Sequence, residues 1–177
     1  EMDRRISNDL ILAACIDSVN WKDINNKCGP GRALSAAAGI LFGRPASVRW
    51  AIEGFEALME ESFHFDGFCR ETPSYSAMHL NLMQNIPELL MGYSDPDSYS
   101  PGNAEPIRNY NPFMQFDRYR LALSSMVRQL DPSLRYPVIG DTHYGGGLDV
   151  DYAEILTDRY SPDYAGLLAK AQNAPLD

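Results

Sequence analysis

Val48, Ile52, Phe55 and Met59 follow one another at spacings of 4, 3 and 4 residues. That rhythm puts four large apolar side chains on one face of a helix. Glu53, Glu56, Glu60 and Glu61 fall mostly off the line, so the opposite face is charged. Such a helix is stable only when its apolar face is buried against another layer. Pro45 suits its first turn, and Gly43 suits the left-handed residue that closes the helix before it.

The same period recurs along the chain. Ile6, Leu10, Ile11, Ala14 and Cys15 make a moderate stripe over residues 3–17, and "RALSAAAGILF" is a small-residue helix suited to close packing. Thr72 or Ser74 can cap a helix that begins near Ser74 and carries Met78, Leu82, Ile86, Leu89 and Leu90, with Pro87 marking a kink or a break. Phe116, Tyr119, Leu123, Met126 and Leu130 form another strong stripe, and residues 152–156 and 162–172 are shorter helical candidates. "FHFDGF" reads as a turn with at most a little strand. Residues 93–112, rich in Ser, Pro, Asn, Asp and Gly, read as a long surface loop, and "YPVIGDTHYGGG" as a glycine-rich one. Helices joined by turns, with almost no alternating pattern, predict an all-α fold in one domain over residues 1–177. An (α/α) toroid or barrel and a plain bundle both fit the periodicity.

Composition narrows the function. A net charge of −9 disfavours nucleic acid as a partner, and no apolar run reaches the roughly 18 residues of a membrane helix. Cys15, Cys28 and Cys69 form no CxxC and an odd set, so a disulfide framework is not expected, although one bridge is compatible with the count. His64, His79 and His143 stand too far apart for a readable zinc motif, so neither metal nor cofactor is expected. The chain opens on Glu1, which reads as processed, or as cut from something longer. Against the acidic total, five basic residues between Lys22 and Arg49 face only Asp23, a local balance of +4. That stretch reads either as a receiver for an anionic ligand or as a solvated helix surface.

Four segments could carry chemistry. His79 lies four residues after Tyr75, which on a helix shares its face, and a phenol beside an imidazole suits proton transfer. Core packing with Met78 and Leu82 is the other reading. Arg70 and Glu71 either bind and orient a substrate group or form a surface ion pair worth about 0–1 kcal/mol. "NNKCG" sets Asn25, Asn26 and Lys27 at a helix entrance, as donors toward a carboxylate or as an Asn-rich turn. "IGDTHYGGG" offers Asp141, His143 and Tyr144 as a second wall of a site or as a structural corner; its glycines match neither a P-loop nor a dinucleotide fingerprint.

In order, "WKDINNKCG", "ALSAAAGILFG", "VRWAIEGFEALMEE", "FDGFCRETPSYSAMHLNL" and "YPVIGDTHYGG" resemble the helical domain of heparinase II/III-like and alginate-lyase-like polysaccharide lyases, over residues 8–147. The resemblance implies an incomplete (α/α) toroid of paired antiparallel helices, followed in the family by β-sandwich domains that this chain does not show. It implies β-elimination on an acidic, uronate-containing polysaccharide, without a cofactor, by a secreted or periplasmic protein with further domains. Tyr75 matches the tyrosine that works at the leaving oxygen. Asn26 matches the carboxylate-facing asparagine, with Asn25 as the near alternative, and Lys27 stands where many members carry histidine. Lys27 would neutralise the carboxylate or act as base, Tyr75 would serve as both base and acid, or His143 would restore the imidazole; loss of activity or a changed substrate is a further reading of the same departure. Asn25, Arg70, Glu71, His79, His143 and Tyr144 would hold the sugar. A non-catalytic glycan-binding domain and a helical scaffold are the rival readings.

Overall fold

The computed structural model of the chain describes residues 28–173 and Arg5. Apart from Arg5, the expected first helix (residues 3–17) lies outside the described residues, and so do Asn25, Asn26 and Lys27. What is described is all-α, with three isolated antiparallel bridges and no strand.

Helix α1 (Cys28–Leu41) runs into the long α2 (Pro45–Ser62), and Gly43 between them takes the positive φ expected of it, at 60°. Then come α3 (Pro73–Met83), α4 (Asn85–Leu90), α5 (Pro112–Gln115), α6 (Asp117–Arg128), α7 (Val150–Ile155) and α8 (Ala165–Ala171). A π-helical turn, Leu156–Tyr160, extends α7, and a 3-10 turn, Pro162–Tyr164, leads into α8.

The stripe on α2 is the spine of the core. Val48, Ile52, Phe55 and Met59 are all buried, and Ala51 and Leu58 widen the buried face. Phe55 meets Tyr119 of α6 edge-on at 5.3 Å and Phe116 at 5.9 Å. Each such fully buried side chain contributes about 1.5–3 kcal/mol. α1 lies along α2, and α6 packs against both α2 and α3. Tyr152 joins α7 to α3, the single proton of its hydroxyl shared between the Ala77 carbonyl at 2.8 Å and Asn81 Oδ1 at 2.6 Å.

Two details differ from the expectation. The helix through Met78 and Leu82 does break, but at Gln84, three residues before Pro87. Pro87 has no N–H to give to the Met83 carbonyl, so α3 stops where that bond is lost, and Pro87 itself sits buried in the short α4. The second detail is α5, a single turn over Pro112–Gln115 that carried no periodic signal.

The turn between α2 and α3 packs against α6 through main chain. Gly67 holds φ at 87°, and a Cβ there would collide with the Leu121 carbonyl of α6. Only glycine fits both demands. Arg118 and Arg128 of α6 complete the contact by donating to the Phe63 and Asp66 carbonyls.

Residues 91–111 form no helix, as expected of that loop, yet they are organised around one buried acid. Asp95 is 2% exposed. It accepts from the Arg49 guanidinium, from the Ile107 N–H at 2.8 Å and from the Tyr93 hydroxyl at 3.2 Å. Burial alone would raise the Asp95 carboxyl, but these hydrogen bonds and the Arg49 charge outweigh it and hold the group below its ordinary value.

Candidate functional site

Thr72 caps α3 in extended conformation, Pro73 takes the first helical position, and no side chain of the local sequence closes the helix start. The cap comes from 68 positions away: the Ser74 N–H donates to Thr142 Oγ1 at 3.4 Å. In return Ser74 Oγ accepts the His143 backbone N–H at 3.1 Å. These two bonds fasten the glycine-rich loop across the start of α3. The orphan donors of a helix N-terminus explain why the loop docks there.

The loop is closed on itself as well. The Tyr136 N–H donates to the Gly146 carbonyl at 2.9 Å, the Gly146 N–H to the His143 carbonyl at 3.2 Å, and Tyr136 is anchored in the core. Gly140 supplies the bend at φ 55°, passing so close to Thr72 that a Cβ would lie 2.7 Å from its methyl. Thr142 is buried, while Asp141 and His143 are exposed.

Between loop and helix lies an open cleft of about 740 Å³, lined by Ser74, Tyr75, Met78, Asp141, Thr142 and His143, with Gly140 at its rim. The fold thus brings Tyr75 and His143 together, a phenol from a helix and an imidazole from a loop. Its volume lies within the range of sites that take a sugar-sized ligand. A single acid, Asp141, lines it, and among the described residues no Lys or Arg does.

The remaining expected residues are placed as follows. His79 is 3% exposed and turned away from the cleft, its ring edge-on to Phe63 at 6.3 Å and its Nδ1 4.0 Å from the Cys69 sulfur. Burial lowers its pKa, against the opposing pull of Glu71 and of the backbone at Tyr75. Arg70 is exposed and donates to the Glu60 carbonyl at the end of α2, at 3.3 Å. Glu71 is exposed beside it. Tyr144 is 87% exposed, next to His143 in the chain but outside the cleft lining. In the basic stretch, Arg32 lies buried over the Trp50 ring and Arg49 is bound to Asp95, so these two cations serve the fold.

No family model, curated protein or solved structure matches this chain.

Among the described residues, no group of three or more His, Cys, Asp or Glu is placed to hold a metal ion, and no helix is long and apolar enough to cross a membrane. Ser74 and Thr142 were not among the expected site residues. Ser74 had read only as a helix cap, and its tie to the loop leaves no mark in local spacing. Chemically, the cleft offers one imidazole from the loop and one phenol from the helix. Each of these groups can both donate and accept a proton.

Proposed function

We propose that the chain is a polysaccharide lyase domain that cleaves an acidic, uronate-containing glycan by β-elimination. The observation that carries this reading is the shared cleft of Tyr75 and His143, and the ordered motifs that resemble the lyases support it. The helices would form an incomplete (α/α) toroid of antiparallel pairs, in a secreted or periplasmic protein whose further domains share the substrate.

In the reaction, His143 takes the proton α to the uronate carboxylate. The electron pair left behind forms the carbon–carbon double bond as the glycosidic oxygen departs from the β-carbon. Tyr75 gives its proton to that oxygen and recovers one from solvent. Negative charge accumulates on the carboxylate during proton removal and must be neutralised, because the α-proton is otherwise too weakly acidic. The resemblance to the lyases would give this task to Asn26 and Lys27, with Asn25 as the near alternative to Asn26. Tyr144 and Arg70, both exposed, would contact sugar beyond the reacting unit, with Glu71 alongside. His79, buried against Phe63 and Cys69, would not reach the sugar.

The test is incubation of the folded protein with alginate, heparan sulfate, chondroitin sulfate and hyaluronan, following the ultraviolet absorbance of the unsaturated uronate product. Turnover is expected on at least one polymer, and Tyr75→Phe should lower it by about 10²–10⁴-fold. Lys27→Ala should reduce kcat more than it raises KM. Silence on every uronate polymer rejects the lyase reading; binding without turnover favours a glycan-binding domain, and neither favours a scaffold. Full activity in Tyr75→Phe removes Tyr75 from the mechanism.

A further inference from the structure

A second groove, sharing no residue with the Tyr75 cleft, opens between the start of α6 and the π-helical turn that follows α7. It encloses about 310 Å³, at the small end of ligand sites, which span roughly 300–1,000 Å³. The half-buried Tyr160 and Tyr164 border it, above a buried Phe113 whose ring lies 6.1 Å from that of Tyr160. Met114, 73% exposed, adds an apolar surface.

Charged groups of both signs line this groove, Asp117 with Arg120 and Arg159. Arg159 lies over the Phe113 ring at 5.2 Å and is held by Glu88 through two bonds, at 3.1 and 2.5 Å. Arg120 and Asp117 stand one turn apart on α6, joined by one long contact of 3.4 Å, with side chains 46% and 78% exposed. An exposed pair of that kind is worth about 0–1 kcal/mol, so a ligand can open it at little cost. The Tyr160 hydroxyl is buried and has no hydrogen-bond partner among the described residues. Burial is the main cause that raises its pKa, so it remains a phenol at neutral pH. The backbone that presents Arg159 and Tyr160 is the π-helical turn Leu156–Tyr160, an irregularity that recurs at functional sites.

We propose that this groove binds a single neutral pyranose ring. The C–H face of a pyranose is apolar and flat enough to lie on aromatic rings, while its rim carries adjacent hydroxyls. Each hydroxyl both donates and accepts, so a neighbouring carboxylate and guanidinium can bridge two of them, Asp117 accepting and Arg120 donating. A ligand with net charge would meet a like charge at the groove whichever sign it carried. The volume admits one ring. The site is independent of the β-elimination reading, because a neutral sugar has no uronate carboxylate.

The experiment is calorimetric titration, with saturation-transfer NMR, of the folded protein with maltose, lactose and mannobiose. Saturable binding of one equivalent of at least one disaccharide is expected. Arg120→Ala and Tyr164→Ala should each weaken it by about tenfold or more, while Tyr75→Phe and His143→Ala leave it unchanged. Arg120 is exposed, so its truncation leaves the fold intact, as a thermal melt verifies. The proposal is overturned if no neutral disaccharide binds saturably, or if binding survives both groove variants. It is equally overturned if binding is lost in the Tyr75 and His143 variants, or if L-phenylalanine displaces the sugar and binds more tightly, which would make the groove a zwitterion site.

Discussion

His79 and Tyr75 sit one helical turn apart on α3, yet they face different surroundings. A residue four positions further along a helix lies about 40° round from the first, and the edge of the cleft falls between them. Tyr75 lines the cleft, while His79 packs under the Phe63 ring. Spacing alone could put the two on one face but could not say where that face stops being core. The pKa of His79 is lowered by burial, and this has a thermodynamic consequence. The unfolded chain takes up the proton near pH 6.5, whereas the folded chain takes it up only at a lower pH. Acid therefore favours unfolding from about that ordinary value down through the folded pKa, and above it the group has no effect. In His79→Gln, the melting temperature should lose part of its fall between pH 7.5 and pH 5, whatever constant offset the substitution brings. Parallel melting curves for parent and variant across that range would show that the buried imidazole does not set the slope.

At the scale of elements, the loop of residues 91–111 depends on Asp95. Its side chain is 1% exposed and that of Arg49 15%, so Asp95 has no water to fall back on and Arg49 has little. Removing one member of a buried pair leaves the other uncompensated, at a cost of about 3–5 kcal/mol. Asp95→Ala is expected to lower the unfolding free energy by that amount in urea titration, and to open the loop to limited proteolysis before the helices unfold. A loss below 1 kcal/mol would mean that water reaches Arg49 in the folded state. The loop itself was legible, because its Pro, Gly, Ser, Asn and Asp content supports no helix. Its ion pair was not, because Arg49 is 46 positions away on another helix. The α2 stripe and Gly43 were legible for the opposite reason: both are local, fixed by helical period and backbone conformation. Pro87 falls between the two cases, since it marks a break whose position depends on which carbonyl loses its donor.

For the whole molecule, α2 carries the longest buried face, packed against α1, α4 and α6. Phe55, fully buried against Phe116 and Tyr119, is its most connected side chain in the aromatic core. Phe55→Ala should cost about 3–5 kcal/mol, read as a lower midpoint of denaturation. The helical class followed from the period of the apolar residues. The pairing of helices did not, because periodicity says which face is buried and is silent about what buries it. The candidate site was half legible in the same sense. Tyr75 and His143 could be named as chemistry-bearing residues, but their meeting is a tertiary fact, made by Ser74 and Thr142.

The clasp between Ser74 and His143 spans 69 positions of chain, and this sets an order of events in time. α2 and α3 can form and dock from neighbouring segments, whereas the cleft cannot exist until the distant loop has been brought back and its closure entropy met. The clasp consists of two hydrogen bonds, one exposed and the other long, so it is also an early place for the native state to come apart. The chemistry proposed for this protein would therefore reside in the contact that its folding makes late and gives up first.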